Sequence, residues 1–272
     1  MPVVDARILI LCKTYPSPSG KYAETTCVAG MDENGNLVRL FPVPFRLIAE
    51  EQQFKKWQWI KAKVEKAKKD HRPESFTIKT DTIEGGPVVE PGREWAERRR
   101  LLSPVKPYVD FDDVETERKE NLTSLALLKP TRILGLDIEP VSNPQWTDQD
   151  LAKLLGGQTQ GGLFDKDDKL SIRTLKKLPY DFYYRYECGE GAATKVFRHK
   201  LVDWEVGALY LTCDRLYGAD WERHFRDKLE RDIPSKDLML LMGNQHRFQD
   251  QWLIISLLYP PHQLQGDLFN SN

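Results

Sequence analysis

Cysteine is scarce and unpaired in this 272-residue chain: Cys12, Cys27, Cys188 and Cys213 form no C-x-x-C pair. That spacing supports neither a zinc ribbon nor a thioredoxin-type site, and in a reducing compartment such residues serve as small buried hydrophobes. Long apolar runs are missing too, none approaching the roughly 20 residues that span a bilayer. The opening MPVVDARILILCK has no basic n-region, and Asp5 and Arg7 interrupt its apolar stretch, so no signal peptide is read there. A cytoplasmic protein without membrane contact is expected. Net charge is almost absent, −1 from 40 Lys and Arg against 41 Asp and Glu. This excludes a globally basic nucleic-acid coat and an acidic solvating tail. There is no G-x-G-x-x-G, Walker loop, G-x-S-x-G or H-E-x-x-H, so enzymatic activity has no motif behind it and no cofactor is expected.

What remains can bury a core. The chain is 40% apolar, with 17 Gly and 17 Pro to punctuate it. Its charge is uneven: residues 1–108 carry 19 Lys and Arg against 14 Asp and Glu, with 14 basic and 9 acidic residues between 51 and 106. Such asymmetry allows a nucleic-acid surface on the N-terminal half, or an ordinary solvated face.

Periodicity favours strands. Residues 7–13 form an apolar run of buried-strand length, closed by the loop Tyr15-Pro16-Ser17-Pro18-Ser19-Gly20. Residues 25–31 and 37–41 flank Asn34-Gly35, the clearest hairpin signal in the chain. Residues 57–66 alternate as a half-buried strand that would pair with 76–83. A helix is read over 93–102 with Arg98, Arg99 and Arg100 exposed. Further strands are read at 125–138, 180–188, 200–213, 238–242 and 252–259, and a helix over 218–231. The expected fold is mainly β with α+β elements: two OB-like small barrels in tandem with a few helices. The first unit is 1–108, with a basic surface. A connection follows at 109–124, then the second unit at 125–261 and a flexible tail at 262–272.

Several of these segments carry a family resemblance. Ile8-Leu9-Ile10-Leu11-Cys12-Lys13, Cys27-Val28-Ala29-Gly30 and Leu37-Val38-Arg39-Leu40 resemble the bacterial dual OB-containing domain proteins. So do the stretch 182–188, His199 before Asp203-Trp204-Glu205, and Gly243-Asn244-Gln245-His246 before 252–259. The resemblance spans roughly residues 7–261. It implies two OB-like barrels and a role in sensing or binding nucleic acid alongside prokaryotic, anti-phage defence components. Some members of that family place a second Cys near the His before Asp-Trp-Glu, and the stretch GEGAATKVFRHK has none.

Three groups of residues are candidates. Lys13, Tyr15, Tyr22, Arg39, Arg46, Trp59, Lys61, Lys63 and Arg72, with Trp57 beside them, combine cations that track phosphates with rings on which bases stack. The plainer reading makes the tryptophans core and the lysines solubilising. His199, Asp203, Glu205, Asn244 and His246 form either a buried polar network, in which a carboxylate caps loop amides, or a divalent-metal site. Gln265-Gly266-Asp267-Leu268-Phe269 resembles the pentapeptide by which bacterial proteins dock on the DNA sliding clamp, with Gln265, Asp267, Leu268 and Phe269 as its contacts. Gln160-Gly161-Gly162-Leu163-Phe164 is a looser copy. The leading expectation is a non-catalytic accessory or sensor protein that binds DNA or RNA, single strands in preference, with a defence-system subunit as a further partner. The alternatives are a metal-dependent nuclease or hydrolase, and an adaptor docking on a clamp or partner subunit.

Overall fold

The computed structural model describes residues 2–160, 175–189 and 191–263. The chain is mainly β, with two sheets and a few helices. The first unit contains β1 (Val4–Lys13), β2 (Ser17–Ser19), β3 (Ala23–Asp32), β4 (Leu37–Val43), β5 (Gln58–Lys66), β6 (Ser75–Ile78) and β7 (Glu84–Val88), followed by α1 (Ala96–Leu102). Five of these strands close on themselves in the order β1-β3-β4-β6-β5 and back to β1. All pairs are antiparallel except β4 with β6. The hairpin expected at Asn34-Gly35 joins β3 to β4, with Gly35 at φ +85°, where a Cβ would be strained.

The second unit opens with α2 (Phe111–Asn121), β8 (Leu125–Leu128), β9 (Arg132–Pro140) and α3 (Asp148–Gln160). It continues with β10 (Tyr180–Cys188), β11 (Lys195–Leu201), α4 (Trp204–Tyr217), α5 (Trp221–Arg226), β12 (Met239–Asn244) and β13 (Trp252–Leu258). Its sheet runs β8-β12-β13-β11-β10-β9, and β11 pairs with β13 in parallel. Leaving β8 aside, the strand order repeats that of the first unit: the first three strands form a meander, and the fifth lies parallel to the third.

Two helices stand where none was expected. The acidic segment 109–124 contains α2, N-capped by Asp110 through Asp112 N. The stretch 200–213 is a strand only to Leu201. Asp203 Oδ1 then accepts from Glu205 N at 2.7 Å and starts α4, whose buried Val206, Tyr210 and Cys213 follow helical spacing.

The unbroken apolar run of β1 has a physical cause. Ile8 and Ile10 point into the first barrel, whereas Leu9 and Leu11 point outward into a separate core. That third core joins the units: Leu9, Leu11, Met31 and Trp57 pack with Leu125, Leu241, Ile255 and Leu258. Burying each leucine contributes about 1.5–3 kcal/mol, so the two units hold each other through their outer faces.

Candidate functional site

The structure separates the cations proposed from the sequence. Arg39, on β4, is buried, its guanidinium donating to Ser124 O at 2.6 Å and Asn244 O at 3.1 Å in the second unit. Arg72, also buried, donates to Asn244 O at 2.7 Å and to both oxygens of Asp70. Burial pushes the Asp70 carboxyl up, but the hydrogen bonds and charge of Arg72 outweigh it and hold Asp70 well below the usual carboxylate range. Neither arginine lies on an open surface, because each fills hydrogen bonds that the contact between units would otherwise leave unmade.

Arg46 pairs with Glu24 at 3.1 Å. Tyr22 is half-buried beside Lys21, and the Tyr15 hydroxyl donates to Lys176 O at 2.7 Å. Lys61 and Lys63 are exposed on β5 and line an open groove of about 1100 Å³ with Trp59. Arg7 covers the Trp59 ring at 4.6 Å while pairing with Glu33 at 2.8 Å, and Trp59 is only 8% exposed. Asp5, Glu33 and Glu84 share the same groove, so its charge is mixed.

The histidine–carboxylate group is dispersed as well. Asp203 is spent on the α4 cap and on Leu257 N at 3.0 Å. Glu205 pairs with Lys56 at 2.8 Å. His199 Nδ1 meets the Tyr186 hydroxyl at 2.8 Å, and burial pulls its pKa down to about 4. Asn244 carries Arg72 and Gln249, while His246 is exposed, 3.9 Å from Asp70. Among the described residues no group of three or more His, Cys, Asp or Glu side chains converges on a possible metal position. Asp203 accepts from amides of the first turn of α4 and of β13 rather than of a loop, and it does not orient a histidine. Gln265, Asp267, Leu268 and Phe269 lie outside the described residues, as does most of the Gln160–Phe164 copy.

One place does collect cations and aromatic rings. A cleft of about 410 Å³ between the units is lined by Lys13, Lys55, Lys56 and Arg98, with two carboxylates, Asp203 and Glu205. Its aromatic walls are Trp57 and Trp95 from the first unit and Trp204 and Tyr259 from the second. Each element contributes through its end. Lys13 closes β1, and its ammonium sits 3.9 Å from the Phe45 ring centre and 5.4 Å from that of Trp204. It donates to Phe54 O at 2.8 Å. Burial pulls its pKa down to about 8 in spite of the Glu205 and Asp203 charges. Lys56 is anchored by Glu205 and by Leu257 O at 3.0 Å, and these carboxylates push its pKa up against the effect of burial.

Arg98 sits in the corner formed by two edge-to-face tryptophans, 4.8 Å from the Trp57 ring and 4.6 Å from Trp95. The sequence reading placed it on the exposed face of its helix, yet it is 9% exposed. Trp57 and Trp95 themselves hold left-handed backbone, at φ +65° and +58°. Trp57 is locked there by its N–H to Ile10 O and its C=O from Val89 N, both 2.7 Å. Such residues cost about 1–3 kcal/mol each and concentrate at functional sites. Sequence reasoning had Lys13 and weighed Trp57. It missed Lys55, Lys56, Trp95, Arg98, Trp204 and Tyr259, which come from four separate segments. The only local signal was the i, i+3 spacing of Trp95 and Arg98.

Residues 110–272 match the family described as "Domain of unknown function (DUF8757)", and residues 4–104 match "Domain of unknown function (DUF8758)". No curated protein matches the chain. No helix among the described residues is long and apolar enough to cross a membrane.

Proposed function

The chain belongs to the DUF8757 family, and we propose that it binds single-stranded nucleic acid in the cleft between its two units. The observation that carries this is the convergence of Lys13, Lys55 and Arg98 with Trp57, Trp95, Trp204 and Tyr259 around one concave surface. Phosphates call for cations and unstacked bases call for rings, and single-strand binders combine the two. Strand order supports an OB reading of both units, since a meander whose third strand lies parallel to the fifth is the Greek-key order of that barrel.

OB barrels commonly bind along the outer face of the second and third strands. Here that face is covered in the first unit, and in the second its exposed cations are paired with carboxylates. In the first, Ala29, Met31 and Arg39 are buried against the second unit. In the second, Arg185 and Arg198 pair with Asp137, and Lys200 pairs with Asp181. The cleft is the concave surface on which cations from the first unit meet rings from both. The accessory or sensor role in prokaryotic defence belongs to the same proposal, and its support is the sequence resemblance.

Titration of a labelled oligonucleotide by fluorescence anisotropy at several salt concentrations tests the reading. Binding that weakens as salt rises, for a single strand more than for a duplex, is expected. Saturable binding to neither would remove it.

A further inference from the structure

Arg98 is held as a receptor holds an anion-binding group. Val89 O takes its Nε at 2.8 Å, and the edge-to-face pair of Trp57 and Trp95 packs against the guanidinium, 4.8 and 4.6 Å from its central carbon. The two terminal nitrogens make no hydrogen bond or ion pair to any described residue, and Arg98 lines the cleft. A planar fork of this kind matches two oxygens of one phosphate. Lys55, exposed, and Lys13, hydrogen-bonded only to a carbonyl, face the same cleft, so three cations without a hydrogen-bonded carboxylate surround it. A volume of about 410 Å³ is at the small end of ligand pockets, room for one nucleotide rather than a run of them.

We propose that Arg98 is the receptor for a terminal phosphate, so that the cleft takes one nucleotide bearing a phosphomonoester. That nucleotide is either the phosphorylated end of a strand or a free nucleotide. The inference rests on the nucleic-acid reading above and sharpens it. A phosphomonoester brings close to two negative charges and three acceptor oxygens, whereas an internal phosphodiester brings one charge. Three converging cations favour the former. The half-buried rings of the second unit, Trp204, which Lys13 approaches to 5.4 Å, and Tyr259, 5.8 Å from Trp95, are the ones offered to the base, since Trp57 is buried.

The test uses the full chain and one ten-nucleotide sequence in three forms: 5′-phosphorylated, 3′-phosphorylated, and with hydroxyls at both ends. AMP serves as the free-nucleotide probe. One phosphorylated form is expected to bind about tenfold tighter than the hydroxyl form. Arg98→Lys, which keeps the charge but loses the fork, should bring that ratio close to one. Because Arg98 is buried and its variant could disturb folding, the exposed Lys55→Ala is measured as well, and it should lower the ratio about threefold. Competition by AMP as strong as that of the phosphorylated strand identifies a free nucleotide as the source, and weaker competition identifies a strand end. Equal affinity for all three strands overturns the terminal-phosphate inference while leaving the nucleic-acid reading in place. Binding of AMP with no strand bound supports the inference and overturns that reading. Binding of none overturns both.

Discussion

Arg39 Nη1 lies 3.1 Å from the main-chain oxygen of Asn244, 205 positions away along the chain, and Arg72 reaches the same oxygen at 2.7 Å. Two guanidinium groups therefore meet on one carbonyl inside the contact between the units. Arg39→Ala is expected to lower stability by about 3 kcal/mol, because Ser124 O and Asn244 O lose a charged donor in a buried place. Urea denaturation measures this. A variant as stable as the wild type would show that the contact does not depend on Arg39.

Lys13 gives the cleft a pH dependence. Burial lowers its pKa to about 8, so its charge is lost as pH rises through that value. Affinity for an oligonucleotide should fall between pH 7 and pH 9, and Lys13→Met should bind weakly and with a flatter profile. The sign for stability is opposite. The unfolded chain keeps this proton up to the ordinary value of 10.5, so folding gains stability as pH rises from about 8 to 10.5. A wild-type profile identical to that of Lys13→Met would contradict the assignment.

His199 acts in the acid range. It is neutral in the fold because burial lowers its pKa from 6.5 to about 4. Its contribution is fully present above pH 6.5 and is lost as pH falls towards 4, up to about 3 kcal/mol. Thermal denaturation from pH 7 to pH 4 should show this decline, and His199→Gln should lessen it. An equal slope in the variant would place the acid sensitivity elsewhere.

Before its end the chain runs HQLQGDLFNSN, with Leu264, Leu268 and Phe269 as its large apolar residues. A peptide spanning Gln263–Asn272 is expected to bind a bacterial sliding clamp at micromolar affinity, about −8 kcal/mol. The double change Leu268→Ala with Phe269→Ala should abolish that binding in a calorimetric titration. No heat from the unchanged peptide would end the adaptor reading.

Much of the fold was legible because it rests on local chemistry. Asn34-Gly35 forces a hairpin, and the alternation of Ile60, Ala62 and Val64 with Lys61, Lys63 and Glu65 makes β5 a half-buried strand. The region 200–213 misled because Lys200 and Leu201 do belong to a strand, and the switch to helix depends on one capping carboxylate at Asp203. The site was far less legible. A cation beside tryptophans reads alike whether it faces solvent, as Lys61 does, or a partner surface, as Arg39 does. Only the packing of β4 against β8, far apart in sequence, decides which is which. Arg98 shows the converse, for its place against Trp57 and Trp95 depends on two left-handed residues that no local pattern announces.

Photocrosslinking tests the cleft most directly. A single strand carrying a photoreactive base is irradiated with the full chain, and the modified peptides are identified by mass spectrometry. Binding in the cleft predicts adducts on Trp204, Tyr259 or Trp95, suppressed by excess unlabelled strand. Adducts confined to Lys61 and Lys63 in the β5 groove, or to Arg185 and Arg198 on the second sheet, would contradict it.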